Sequence, residues 1–112
     1  MAYDESLAMR VRLALRAARG VSERKMFGGL TFLIGGRMCC GIVGSDLMVR
    51  VAKDKYAAAL RRRHVRPMDF TGRPLAGFVY VSAQGLRTTS ALEAWVAKGA
   101  NVARAVTTDD QG

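Results

Sequence analysis

From Lys25 to Gly44 short apolar runs alternate with glycines, and almost no side chain in the stretch carries chemistry. That pattern predicts short strands joined by tight turns, at 22–27, 30–34, 37–43 and 47–51. Gly35-Gly36 separates two of these runs by two residues, the spacing of a hairpin turn. Gly44-Ser45-Asp46 supplies a second turn, and Gly28-Gly29 a further turn or a bulge. Such connections leave no length for crossover helices, so the sheet is expected to be antiparallel.

Helical periodicity flanks this sheet. Leu7, Val11, Leu15 and Ala18 recur every three or four residues and predict a helix over 4–19. Asp4 and Glu5 stand at its positive end and Gly20 is its natural stop. Asp54 is the expected N-cap of a short second helix through Tyr56 and Leu60, closed by Arg61, Arg62 and Arg63 before Pro67. Residues 68–76 read as a turn-rich loop and 78–82 as a fifth strand. Ser90 and Glu93 have capping-box spacing, and Leu92, Trp95, Val96, Val102 and Val106 share a face of a last helix, which Gly99 weakens or bends. The pattern predicts one α+β domain over 1–112. Its curved antiparallel sheet of about five strands packs against N-terminal, middle and C-terminal helices.

Charge changes the picture more than composition does. Half of the 112 residues are hydrophobic, which suits an ordinary globular domain, but 18 Lys and Arg against 9 Asp and Glu give a net charge of +9. Fourteen of the basic residues are arginine, the side chain suited to forked contacts with phosphate or carboxylate. A charge of this size attracts nucleic acid and anionic surfaces without specificity. With no signal-peptide pattern and no apolar run long enough to span a bilayer, the expected location is cytoplasmic, away from membranes.

Candidate chemistry is sparse. His64 is the sole histidine, and it directly follows Arg61, Arg62 and Arg63. Asp46 and Asp69 are the carboxylates that could meet in space. Cys39 and Cys40 are adjacent, so on a strand they point to opposite faces, one into the core and the other to the second face, and are poorly placed to bond to each other. Neither metal-ligand spacing nor a phosphate loop is present, so no metal, no cofactor and no catalytic residue are expected. A dyad of Cys39 or Cys40 with His64 stays open, because such partners need not be close in sequence.

Binding candidates are clearer. Arg61, Arg62, Arg63, Arg66 and Arg73 form the expected contact for nucleic acid or another anionic partner, with Arg12, Arg16 and Arg19 as a second basic edge. Phe78 and Tyr80 share one strand face and Val79 and Val81 the other. Sheet aromatics either stack bases or pack across strands. Trp95 reads as a core anchor or an interface residue.

The segments beginning at Lys25 (Lys-Met-Phe-Gly-Gly-Leu-Thr-Phe), Met38 (Met-Cys-Cys-Gly-Ile-Val-Gly) and Leu47 (Leu-Met-Val-Arg-Val) carry a family likeness. So do those at Arg66 (Arg-Pro-Met-Asp-Phe-Thr-Gly-Arg-Pro-Leu) and Gly77 (Gly-Phe-Val-Tyr-Val). Together they resemble the N-terminal domain of the TfoX/Sxy family from about Tyr3 to Val106. That family is named for regulators of natural competence, which act with a global transcription activator at promoters of DNA-uptake genes.

The resemblance implies a non-enzymatic regulatory or interaction domain. It would dock to a protein partner, the transcription machinery, with auxiliary and non-specific DNA contact. Longer members add a C-terminal domain, and this sequence is expected to be a stand-alone form without it. Met26, Phe27, Gly28 and Gly29 look structural. Asp69 and Arg73 mark a candidate interaction loop, unless Asp69 pairs with a nearby arginine to hold that loop. Two alternatives stay open: a protein-binding module unrelated to transcription, and a small-molecule or enzymatic domain using Cys39, Cys40 or His64. An exposed sheet edge would also offer a route to a homodimer.

Overall fold

The glycine-punctuated stretch folds into hairpins. The computed structural model describes residues 3–26, 28–69 and 74–109. Gly35 and Gly36 hold φ of 59° and 81°, the left-handed pair that a two-residue hairpin turn demands. They join β2 (Gly29–Ile34) to β3 (Arg37–Val43). Ahead of β2 runs β1 (Val21–Met26), and β4 (Asp46–Arg50) follows β3 through the turn at Gly44. Phe27, between β1 and β2, lies outside the described residues.

The chain then passes through a short 3-10 turn at Lys53–Lys55 into α2 (Tyr56–Leu60). Beyond it come β5 (Val65–Asp69) and β6 (Pro74–Val81). All neighbours pair antiparallel, in the order β1-β2-β3-β4-β6-β5. The sheet therefore has six strands where the sequence suggested about five. The additional one is β5, which begins before Pro67 and occupies part of the segment expected to be loop. Proline removes a backbone donor, yet it is tolerated here because β5 is an edge strand.

The helical layer also departs from the sequence pattern at its ends. α1 (Glu5–Ala14) stops before the expected Arg19. Single turns carry the chain on to Gly20, whose carbonyl accepts a hydrogen bond from the Gly35 amide at 3.1 Å. That bond ties the entry of β1 to the β2–β3 turn. Asp4 caps α1, its carboxylate accepting from the amides of Ser6 at 2.9 Å and Leu7 at 3.2 Å. Asp54 lies within the 3-10 turn, and α2 has no side-chain cap. α3 (Thr89–Asp109) is capped by Thr88, whose hydroxyl accepts from the Ala91 amide at 3.0 Å, so Ser90 sits inside the helix. The helix continues through Gly99.

One core lies between the helices and the sheet. Leu7, Val11 and Leu15 from the N-terminal segment meet Leu92, Trp95 and Val96 from α3 over Phe32, Ile42, Leu47, Val49, Val79 and Val81. Burial of each such side chain contributes about 1.5–3 kcal/mol. Tyr56, Ala59 and Leu60 of α2 join the same cluster. Met48, Met68 and Tyr80 form a second, smaller cluster on the other sheet face, flanked by Met38, Val43 and Phe78. The expected division of β6 holds: Val79 and Val81 face the helices, Phe78 and Tyr80 the opposite side.

The cysteines do not divide in that way. Phe32 pairs with Cys40 and Leu33 with Met38, so Cys39 is the extra residue of a β-bulge. The bulge breaks the alternation and turns both thiols toward the helical core, where each is fully buried.

Candidate functional site

Of the five arginines expected to form one contact, the four among the described residues do not all lie together: Arg66 is apart from Arg61, Arg62 and Arg63. Arg61, Arg62 and Arg63 follow α2 and are all exposed. Arg62 lies over the Trp95 ring, its guanidinium carbon 4.6 Å from the centroid, and Lys98 approaches the same ring at 5.8 Å. Trp95 is thus a core anchor whose rim supports two cations. His64 completes the corner. It is exposed, with φ at 67°, and its carbonyl accepts from the Ser82 amide at 2.9 Å. A left-handed histidine here lets the chain reverse from α2 into β5.

Arg66 sits on the other face of the sheet. Its guanidinium donates to the Asp46 carboxylate at 2.5 Å and lies 4.9 Å from the centroid of Tyr80. Asp46 is thereby engaged by an arginine rather than by a second carboxylate. Arg50 repeats the motif one pair along, over Phe78 at 5.6 Å, while donating to the Met38 carbonyl at 3.4 Å. Burial pushes the Tyr80 phenol above its ordinary range, with Arg66 opposing the shift. The result is a band of guanidinium–aromatic stacks over buried Met48 and Met68. Such stacked guanidinium groups keep edge N–H groups for an anionic partner.

Asp69 is exposed at the end of β5. Arg73 lies outside the described residues, as do Phe70, Thr71 and Gly72, so the expected interaction loop is represented by Asp69 alone. Of the second basic edge, Arg12 is held by Glu23 through two bonds of 2.7 and 2.9 Å. The Arg12 hydrogen bond keeps the Glu23 carboxyl below its usual range. Arg16 donates to the Leu13 carbonyl at 2.6 Å, and Arg19 is exposed.

The groups considered for catalysis are separated by burial. Cys39 and Cys40 lie beneath α3 with their sulfurs 3.8 Å apart, and the Cys39 thiol approaches the Val96 carbonyl at 3.9 Å. The hydrogen bond with Cys39 and complete burial hold the Cys40 thiol protonated, well above the usual thiol range. Both cysteines are free thiols. His64 is at the surface against Gly85. Among the described residues no three His, Cys, Asp or Glu side chains come together as metal ligands. No helix of the described residues is long and apolar enough to cross a membrane.

Residues 12–103 match the TfoX N-terminal domain, more than half of the chain. The chain belongs to the TfoX N-terminal domain family. No curated protein and no solved structure matches it. The TfoX N-terminal match runs from α1 to α3, so it takes in both the arginine corner and the guanidinium–aromatic face. Sequence reasoning missed Arg50 and Asp46 as members of that face. The signal was the alternation at Met48, Val49 and Arg50, which pair with Tyr80, Val79 and Phe78 respectively where β4 meets β6.

Proposed function

We propose that this TfoX N-terminal domain is a non-enzymatic regulatory or interaction domain. It docks to a protein of the transcription machinery and makes auxiliary, sequence-independent contact with DNA. The observation that supports the DNA contact is the corner after α2. Arg61, Arg62 and Arg63 are exposed side by side in a chain of net charge +9, and Arg62 is fixed in place by Trp95. Arg61 and Arg63 then serve as the charges that reach phosphate, with the corner set by α2 and β5.

Fluorescence anisotropy with unrelated duplex DNAs across a salt series tests this reading. The informative variant is Arg61→Ala/Arg63→Ala, with Arg62 retained so that packing on Trp95 survives. Binding without sequence preference is expected. The double variant should weaken it and lower the slope of log K against log salt by about two. Binding confined to low salt and unchanged in the variant would remove DNA from the proposal.

A second reading, a protein-binding module unrelated to transcription, draws on the sheet face. Arg50 and Arg66 stand there beside partly buried Met38, Val43 and Phe78, a mixture of apolar area and forked donors that suits an acidic protein surface. A partner captured through Arg50 and Arg66, without competition from DNA, would favour it.

A further inference from the structure

Three guanidinium groups among the described residues rest on aromatic rings, and one differs from the other two. Arg50 donates to the Met38 carbonyl and Arg66 to the Asp46 carboxylate, so both engage edge N–H groups within the chain. Arg62 lies over Trp95 and, among the described residues, donates to no acceptor and pairs with no carboxylate. Its edge stays open.

The same ring carries a second cation. The Lys98 ammonium stands 5.8 Å from the centroid that the Arg62 guanidinium carbon approaches to 4.6 Å. Lys98 is exposed on α3 and, among the described residues, it too pairs with no carboxylate. Glu93 is the nearest acid along α3, but it lines the groove between the α1 segment and α3. It precedes Trp95 by two residues, which places it on nearly the opposite side of the helix.

Like charges held against one ring repel each other, and an anion between them replaces that repulsion with two attractions. The cations are also of different kinds. Arg62 offers a rigid fork of donors from the end of α2, and Lys98 a point charge with rotatable donors from the middle of α3. A phosphate has charged oxygens for both. Arg61 and Arg63, exposed beside Arg62, supply further charge for the phosphates that follow along a DNA strand.

We infer that Arg62 and Lys98 form a two-cation seat for one phosphate group over Trp95, which makes Lys98 of α3 a DNA-contact residue. The inference rests on the DNA reading of the corner after α2 for the source of that phosphate. It extends the contact from α2 onto α3.

Anisotropy with duplex DNA across a salt series, read beside Trp95 emission, tests the seat. Trp95 is the sole tryptophan, and a phosphate held against its ring changes the electric field there. Lys98→Gln removes the charge at the seat. Lys25→Gln removes an equal charge from exposed β1, at the opposite edge of the sheet from β5. Both lysines are exposed, so both variants should keep their fold by circular dichroism. Lys98→Gln should lower the slope of log K against log salt by about one and blunt the emission change on DNA binding. Lys25→Gln should match the wild type in both.

If Lys98→Gln also matches the wild type while Arg61→Ala/Arg63→Ala still weakens binding, the seat is overturned and the DNA reading stands. If the wild type binds no DNA, that reading fails by itself, and inorganic pyrophosphate at constant ionic strength decides the seat. A saturable change in Trp95 emission that Lys98→Gln abolishes upholds it. No change, or the same change in both proteins, overturns it.

Discussion

Gly99 of α3 lies directly on the backbone of Cys39: a Cβ added to Gly99 would stand 2.3 Å from the Cys39 carbonyl oxygen and 3.1 Å from its carbon. The helix thus rests on the β-bulge with no side chain between them. Intrinsic propensity alone would make Gly99→Ala stabilising by about 1 kcal/mol. The contact is with backbone, which cannot rotate away, and overpacking of this kind costs about 1–3 kcal/mol. The variant is expected to unfold at lower urea concentration with an unchanged slope. A midpoint at or above that of the wild type would mean that α3 shifts off Cys39 without cost.

Arg62 and Trp95 give a second prediction. Removing the guanidinium by Arg62→Ala should cost about 0.5–1 kcal/mol, the range for an exposed cation–π contact, with further loss from the aliphatic stem. Trp95 is the sole tryptophan, so its emission reports the change without ambiguity. A red shift in the native spectrum is expected for Arg62→Ala and not for Arg61→Ala. Equal spectra for both variants would mean that Arg62 does not shield the ring in solution.

Much of the architecture was legible because it rests on local rules. The Gly35-Gly36 turn follows from the need for positive φ at two successive positions, and the two faces of β6 follow from strict alternation at Phe78 to Val81. β5 was not legible, since Pro67 signals a break unless the segment is known to be an edge, and edge position is a property of the whole sheet. The cysteines were misplaced for a related reason: a one-residue bulge leaves no mark in composition, yet it brings both thiols to one side. The arginines were legible as residue type, but the sheet face that each one takes was not. Arg63 and Arg66 are three apart in sequence, and entry into β5 sends Arg66 to the opposite face, beside Tyr80.

The Arg12–Glu23 pair predicts a pH dependence with a definite sign. Arg12 lowers the Glu23 carboxyl in the folded chain, so the pair contributes above the ordinary carboxylate range. Its contribution is lost as pH falls through the depressed folded value. The two side chains are 37% and 35% exposed, and solvent screening keeps the effect below about 1 kcal/mol. Glu23→Gln should lower stability slightly at neutral pH and converge with the wild type under acid. A constant difference at every pH would point to packing rather than charge.

Cys39 and Cys40 supply the last prediction, because burial makes them reporters of α3. Neither thiol is exposed in the native chain, and the Cys40 thiol is held in its less reactive protonated form. Labelling by a thiol reagent should therefore be slow under native conditions and reach both cysteines on unfolding. Its rate should track the opening of α3 from β3. Gly99→Ala strains that same contact, so it should speed labelling of Cys39 and Cys40 together, while Arg61→Ala should leave the rate unchanged. Rapid labelling of one cysteine in the stable wild type would place a thiol within reach of solvent, and a chemical role for Cys39 or Cys40 would then regain its footing.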